Sequence, residues 1–258
     1  MSDLNLVRIL ETILQLVILV VIIVKTVKFM INGKHTFLPF FFALAMASCL
    51  LSNLYWIAYD TLRPDTRMPI ASNEIAECAV ILLLSAGLDS ILKDKKDVLG
   101  EAIFAFLFIS VNIVLWILWS GEWFQDILFG LPYIYFFWLL IRGLRSRMSL
   151  TRNELWFSAI MSISFLVMQF ILFAGIEIMN GLIKTVCYMV MFALMIWLGI
   201  KSVRSKDFFV TTTYFLWTNL SIFLSPDIYY YIVALAETVA FPLMFVSMKK
   251  ELAADDWC

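Results

Sequence analysis

The chain has 258 residues, of which 63% are hydrophobic, 16% aromatic and only 15% charged, with a net charge of −1 at pH 7. A soluble domain usually has about 25% charged residues and about 45–50% apolar ones. A soluble fold of this composition would expose large apolar patches, so an ordinary soluble protein is excluded and an integral membrane protein is favoured. The mean hydropathy of +0.93 points the same way.

Apolar runs of about 20 residues recur along the chain, which is the length of helix that crosses a hydrocarbon core of about 30 Å. Transmembrane β-strands would be about ten residues long and would alternate in polarity, so these runs are helices. We predict an all-α, polytopic transmembrane bundle of about nine helices. It forms a single domain over 1–258 and has no soluble domain. The predicted spans are 5–27, 37–58, 74–92, 102–120, 124–142, 154–174, 180–200, 208–224 and 227–247, of which the eighth is the shortest.

Basic residues lie on alternate connections between the predicted helices. Fifteen of the 19 Lys and Arg residues fall in five clusters on one face of the bundle. Cytoplasmic loops are enriched in Lys and Arg, so the amino terminus is predicted to be outside and the carboxy terminus cytoplasmic. Sparse cysteines, compact loops and the lack of a usable glycosylation sequon favour a multi-pass protein of the cell (plasma) membrane, namely a bacterial inner membrane. The five clusters are Lys25, Lys28 and Lys34; Lys93, Lys95 and Lys96; Arg142, Arg145, Arg147 and Arg152; Lys201, Arg204 and Lys206; and Lys249 with Lys250, leaving Arg8, Arg63, Arg67 and Lys184 on the opposite face.

The helices that start at the predicted outer face begin about fifty residues apart. Their starts are Asn73-Glu74, Gln125-Asp126, Asn180-Gly181 and Pro226-Asp227. This weak period is compatible with duplication of a helical hairpin. A bundle of hairpins with short loops gives the same spacing without duplication, so both interpretations stay open.

Motifs for catalysis or cofactor binding are absent. No Walker loop, dinucleotide fingerprint or CxxC occurs, and His35 is the only histidine, which argues against histidine-dependent metal and acid–base sites. Cys49, Cys78, Cys187 and Cys258 have no paired spacing and are interpreted as small buried residues or a free tail thiol. We therefore predict no cofactor, no metal and no nucleic-acid partner.

Ionisable residues within the spans are the strongest functional signal. Glu237 lies near the middle of the ninth run, where a carboxylate costs roughly 2.5–3.5 kcal/mol on insertion scales. It is expected to face the bundle interior and to meet a partner, a water-filled cavity or a bound proton. Helical periodicity places Asp227 on the same face. Other candidates in the predicted outer half are Glu74 and Glu77 on the third helix, Arg8 and Glu11 on the first, Lys184 on the seventh and Asn219 on the eighth.

These residues predict a polar cavity on the outer side, with Glu77 and Glu237 as its active acids and Arg8 and Lys184 as counter-charges. Three functions are compatible with such a cavity. A secondary transporter or carrier would bind a proton, a cation or an organic amine from outside. A sensor or accessory subunit would bind an external ligand and signal through a partner protein, and an intramembrane enzyme would use carboxylic acids on a lipid or isoprenoid.

The absence of a catalytic motif favours the two non-enzymatic functions. The alternative for the charges themselves is structural, because ion pairs near the headgroups and polar contacts between helices also stabilise bundles. Expected partners are the lipid bilayer, a small-molecule or cation ligand from the outer side, and a possible protein partner at the cytoplasmic face.

Overall fold

A computed structural model of the chain describes residues 3–33, 37–62, 72–92, 98–175, 181–222 and 228–255. These residues form nine α-helices and no strands, which confirms the predicted all-α bundle. The helices are α1 (Asp3–Asn32), α2 (Phe37–Leu62), α3 (Ser72–Ile91), α4 (Leu99–Ser120), α5 (Trp123–Ser146), α6 (Arg152–Gly175), α7 (Gly181–Ser205), α8 (Phe208–Ile222) and α9 (Ile228–Asp255).

Every observed helix overlaps one predicted span, and several extend beyond it. α1 continues to Asn32 although the predicted span stops at 27, and α9 continues to Asp255 although its span stops at 247. An apolar run in the sequence identifies only the part of a helix that lies in the hydrocarbon core of the membrane. The helical hydrogen bonds continue through the basic residues that follow. In α9, Lys250 Nζ donates to the carbonyl of Ser205 at 2.8 Å.

Seven of the nine described helices are long and apolar enough to cross a membrane by themselves, so the chain is a multi-pass membrane protein. The other two are α3 and α8. α3 contains three acids, Glu74, Glu77 and Asp89, within 20 residues. α8 has only 15 residues, which corresponds to a length of about 22 Å.

Eight helices form a closed ring around α8. The ring runs in the order α1, α2, α3, α5, α4, α6, α7 and α9, and α9 contacts α1 again. α8 packs on α5, α7 and α9, and every residue of α8 from Phe208 to Ser221 is buried. Because α8 meets protein on all sides, it needs neither the length nor the lipid-facing surface of a helix that crosses a membrane alone.

Aromatic packing joins α8 to the far side of the ring. The ring of Trp217 on α8 stacks on Phe108 of α4 at 5.5 Å between centroids. It also contacts Phe137 of α5 at 6.1 Å and Phe165 of α6 at 5.5 Å. Lipid tails are as apolar as these side chains, so close packing of this kind, rather than the hydrophobic effect, holds helices together inside a membrane.

Two helix starts at the predicted cytoplasmic end, those of α6 and α8, are capped by side chains. At the start of α6 the backbone N–H of Thr151 donates to Glu154 Oε2 at 2.8 Å, and the N–H of Glu154 donates to Thr151 Oγ1 at 3.4 Å. This reciprocal pair is a capping box. At the start of α8 the N–H of Val210 donates to Asp207 Oδ1 at 3.0 Å, which satisfies a free donor of the first turn.

Ion pairs tie the same end of the bundle together. Arg147, in the α5–α6 connection, pairs with Glu251 of α9, and its Nη2 donates to the carbonyl of Ile91 at the end of α3 at 2.8 Å. Lys201 of α7 pairs with Glu154 of α6 at 2.5 Å. Arg145 of α5 pairs with Glu101 of α4. Polar contacts between neighbouring helices therefore hold this end closed.

Gly143 lets α5 approach α8 closely, and its replacement by Ala is expected to destabilise the bundle. A Cβ at this position would lie 2.0 Å from the ring of Phe209, whose exposed fraction is 0%. Overpacking of this kind costs about 1–3 kcal/mol or more. The measurement is the apparent melting temperature of the purified protein in detergent.

Gly100→Ala is the matched control for Gly143→Ala. Gly100 is also in a helix, but a Cβ there would meet no atom within 4 Å. Ala is favoured over Gly in helices by roughly 0.5–1 kcal/mol, so this variant should melt at the wild-type temperature or slightly above it. Equal melting temperatures for the two variants would contradict the close approach of α5 to α8.

The orientation predicted from the basic clusters can be tested at the two ends of α5. Glu122 precedes α5, and Met148, which is 85% exposed, follows it. With the four native cysteines replaced by Ser, we expect a membrane-impermeant maleimide to label Glu122→Cys on intact cells. Met148→Cys should react only after the membrane is opened. The reverse pattern would overturn the predicted orientation.

Candidate functional site

A polar cavity of about 120 Å³ lies between α1, α2, α3, α8 and α9, in the half of the bundle that the sequence places outside. It has room for several water molecules or a small organic group. We call it the central cavity. Its carboxylates are Glu11, Glu77 and Glu237, and its other lining residues are Thr12, Gln15, Cys49, Ser52, Asn53, Trp56, Val80, Phe215, Asn219, Ile222, Tyr230, Ala234 and Phe241.

Helical periodicity explains why these side chains meet. On α9, Tyr230, Ala234, Glu237 and Phe241 follow one another at steps of three and four residues, which places them on one face. The lining residues of α1, α2 and α8 are spaced in the same way. α1 is flanked in the ring by α2 and α9, so their polar faces meet on the inner side of the ring.

Two side-chain amides link three of these helices through hydrogen bonds. Asn53 Nδ2 on α2 donates to Gln15 Oε1 on α1 at 2.9 Å. Gln15 Nε2 in turn donates to the carbonyl of Ala234 on α9 at 3.3 Å. Because both amides form hydrogen bonds between helices, these bonds fix one wall of the central cavity.

Glu237 belongs to a second polar connection. Its carboxyl group is hydrogen-bonded to the side chain of Asn219 on α8. Asn219 Oδ1 accepts a hydrogen bond from the hydroxyl of Tyr133 on α5 at 2.6 Å. Tyr133 is 3% exposed and Asn219 is 7% exposed, so this connection from α5 through α8 to α9 lies inside the protein.

The central cavity brings three carboxylates together. Among the described side chains no Lys, Arg or His lines the cavity. Glu11 Oε1 is buried and accepts no hydrogen bond from the described part of the chain. Three ionised carboxylates in one cavity repel one another. Bound protons, water or a mobile cation would reduce this repulsion.

Two aromatic rings form the floor of the cavity. Phe215 of α8 and Phe241 of α9 pack with their ring centroids 5.8 Å apart, and each is 1% exposed. Both lie one helical turn towards the predicted cytoplasmic side, Phe215 from Asn219 and Phe241 from Glu237. They separate the polar cavity from the half of the bundle on the predicted cytoplasmic side.

Half of the eight residues predicted as a site line the central cavity. They come from four different helices, so only the fold brings them together. These residues are Glu11 on α1, Glu77 on α3, Asn219 on α8 and Glu237 on α9.

The other four predicted residues do not line the central cavity or lie outside the described part. Glu74 is one turn from Glu77 on α3 and lines a second cavity. Lys184 is on α7 and lines neither cavity, so the structure does not place it as a counter-charge to Glu237. Asp227 and the side chain of Arg8 lie outside the described residues.

Several residues in or next to the site were not predicted from the sequence, among them Tyr133, Cys49 and Phe215. Tyr133 was missed because a tyrosine in an apolar run gives no sign of which helix its hydroxyl meets. Cys49, predicted as a small buried residue, is a half-buried free thiol that lines the cavity. Phe215 was missed because nothing local distinguishes it from other aromatic residues of the spans.

Comparison of the chain with protein-family models, with curated proteins and with solved structures gives no match. The geometry of the cavity is therefore the basis for interpreting its function. Within the described residues no group of three or more His, Cys, Asp or Glu side chains is arranged to hold a metal ion.

The bond from Tyr133 to Asn219 is expected to stabilise the bundle measurably. Tyr133→Phe leaves Asn219 Oδ1 without its donor and should cost about 1 kcal/mol of stability. Tyr135→Phe is the control, because Tyr135 lies on the same helix and is 43% exposed. The apparent melting temperature in detergent should fall for Tyr133→Phe only, and equal values for the two variants would contradict this role.

Proposed function

We propose that the protein is a membrane carrier whose central cavity binds a proton or the ammonium group of a small solute. Supporting this is one observation: Glu11, Glu77 and Glu237 converge from three ring helices on one cavity without a basic side chain from the described residues. A carboxyl group inside a bundle is costly when ionised and without a partner. A cation that enters the cavity removes this cost.

Competition between protons and the solute gives the carrier its coupling. A protonated carboxyl group is neutral and does not attract an ammonium ion. When the solute cation binds, the carboxyl group releases its proton to water and the carboxylate pairs with the cation. One positive charge replaces another in the cavity, so solute movement in one direction is linked to proton movement in the other.

The closure of the bundle at one end supports a carrier rather than an open channel. The rings of Phe215 and Phe241 block the cavity towards the predicted cytoplasmic side. Beyond them, the ion pair between Arg147 and Glu251 and its neighbours hold the helix ends together. Release on that side requires the floor and these contacts to open, as alternating access demands.

α9 contains a point at which such a movement is favoured. Pro242 lies inside α9, one residue beyond Phe241. A proline has no N–H, so the helical hydrogen bond to the carbonyl of Thr238 is missing next to Glu237. Transmembrane helices bend most readily at such positions. Cation binding at Glu237 and movement of Phe241 therefore both act on the helical turn that Pro242 weakens.

Proton release on cation binding tests the proposal. We expect tetramethylammonium, a permanently charged ammonium ion, to release protons from the purified protein in weakly buffered nanodiscs. Glu237→Gln keeps the size of the side chain but has no exchangeable carboxyl proton, so the release should fall severalfold. Asp89→Asn is the matched control, because Asp89 is exposed on α3 and lines neither cavity.

The same variants test movement of the ion. Proteoliposomes with a pH-sensitive dye inside and a tetramethylammonium gradient should show proton counter-movement with the wild type and Asp89→Asn. Glu237→Gln should not exchange. A wild type that neither releases nor moves protons, or a Glu237→Gln variant that behaves as the wild type, would overturn the carrier.

The affinity of the wild type for tetramethylammonium should depend on pH in a defined direction. Protons and the cation compete for the same carboxyl groups, so the apparent affinity falls as the pH is lowered. Displacement of one proton gives a change of at most about tenfold per pH unit. Glu237→Gln should flatten this dependence, and an affinity that rises on acidification would contradict the competition.

A further inference from the structure

A second cavity of about 280 Å³ lies beside the central cavity, between α3, α4 and α5. We call it the aromatic cavity, because four aromatic side chains line it. Three acidic side chains share the lining. The rings are Trp116, Trp119, Phe129 and Tyr133, the acids are Glu74, Glu77 and Asp126, and the remaining lining residues are Cys78, Ser120, Gln125 and Gly130.

The two cavities share a wall. Glu77 lines both of them. The ring of Tyr133 lines the aromatic cavity, while its hydroxyl donates at 2.6 Å to Asn219, which lines the central cavity and bonds Glu237. A ligand in the aromatic cavity therefore lies next to a carboxylate of the central one.

Close packing fixes the rings at the inner end of the aromatic cavity. Trp116 and Tyr133 meet edge to face with their centroids 5.7 Å apart. Gly130 lets α4 and α5 come together here, since a Cβ at this position would lie 2.5 Å from Ile113. Trp116 is 8% exposed and Trp119 is 40% exposed, so the aromatic lining extends from the interior to the rim.

We propose that the aromatic cavity binds an organic cation with apolar substituents, such as a substituted quaternary ammonium ion. The faces of Trp, Tyr and Phe attract such cations, and the apolar substituents pack against the rings. Glu74, Glu77 and Asp126 supply the opposite charge and disfavour anions. An inorganic cation would gain less binding free energy here, because it would lose its hydration shell against the aromatic walls.

The position of Glu77 makes this cation the solute of the carrier. Glu77 can pair with the ammonium group from either cavity. The cation therefore contacts Glu77 on its way from the rim of the bundle to Glu237. This identification as the carried solute rests on the proposed function. Binding in the aromatic cavity does not, because it needs neither proton exchange nor movement across the membrane.

Calorimetric titration of the purified wild type in nanodiscs tests the binding. The probe is benzyltrimethylammonium, and benzenesulfonate, of similar size and opposite charge, is the comparison. We expect saturable binding of the cation and none of the anion. Binding of both ions equally, or of neither, would overturn the proposal.

Two substitutions locate the bound cation. Phe129→Leu keeps an apolar side chain but removes the ring face, and Glu74→Gln removes one charge. Each should weaken binding by about two- to thirtyfold, the range expected for loss of one such contact. Glu122→Gln is the matched control, because Glu122 is an acid at the same end of α5 that does not line the cavity. Wild-type affinity for both Phe129→Leu and Glu74→Gln would exclude this cavity.

Glu237→Gln separates this inference from the proposed function. Glu237 lines only the central cavity, so the variant should keep benzyltrimethylammonium binding while it loses proton exchange. Loss of both would place the cation in the central cavity and overturn the second site. Binding of benzyltrimethylammonium to a wild type that shows no proton exchange would keep the aromatic cavity and remove the carrier. Melting temperatures of all variants establish that they are folded.

Discussion

The position of α8 inside a ring of eight helices is the constraint on which the rest of the structure depends. Lipid offers no hydrogen-bonding partner, so polar side chains must be satisfied within the protein. Along most of α8 they are satisfied locally: the hydroxyls of Thr211, Thr212 and Thr213 each donate at 2.7 Å to the carbonyl one turn earlier. Asn219 is different, because its side chain bonds residues of two neighbouring helices. The shielded helix thus presents a polar group to Glu237 far from lipid.

The two ends of the bundle are built from different interactions. At the predicted cytoplasmic end, acids and bases are paired with one another, as Arg147 is with Glu251. In the opposite half, Glu11, Glu77 and Glu237 share a cavity in which no described side chain is basic. Paired charges hold helix ends together, whereas carboxylates that meet one another leave room for an exchangeable cation. Under the proposed function, the first end is closed and the second binds the cation.

The sequence predicted what depends on local properties. The nine described helices lie where the apolar runs are. The length and apolarity of a run are properties of that run alone, so they can be recognised without knowing its neighbours. The depth of Glu237 within α9 follows from simple counting along its run. The eighth span was predicted to be the shortest, and α8 is the shortest described helix. That shortness was a sign that α8 does not face lipid, although hydropathy alone does not distinguish a shielded helix from an exposed one.

What the sequence did not predict depends on the order of the helices in the ring. α5 lies between α3 and α4 in the ring, and this non-sequential order brings Tyr133 to Asn219. Lys184 was expected near the acids because it lies at a similar depth, but depth does not determine which way a helix faces or which helices are its neighbours. The same order places Glu77 at a wall between two cavities, which no spacing along the chain indicates.

The proposed function accounts for three carboxylates in one cavity better than a contribution to stability does. Buried charged groups seldom stabilise a fold more than well-packed apolar residues of similar volume would. Glu11, Glu77 and Glu237 come from three helices, so three apolar side chains would fill the central cavity and remove the repulsion. Proteins keep such unfavourable groups where activity requires them. In the proposed carrier, a mobile cation or proton balances this charge and enters and leaves the central cavity.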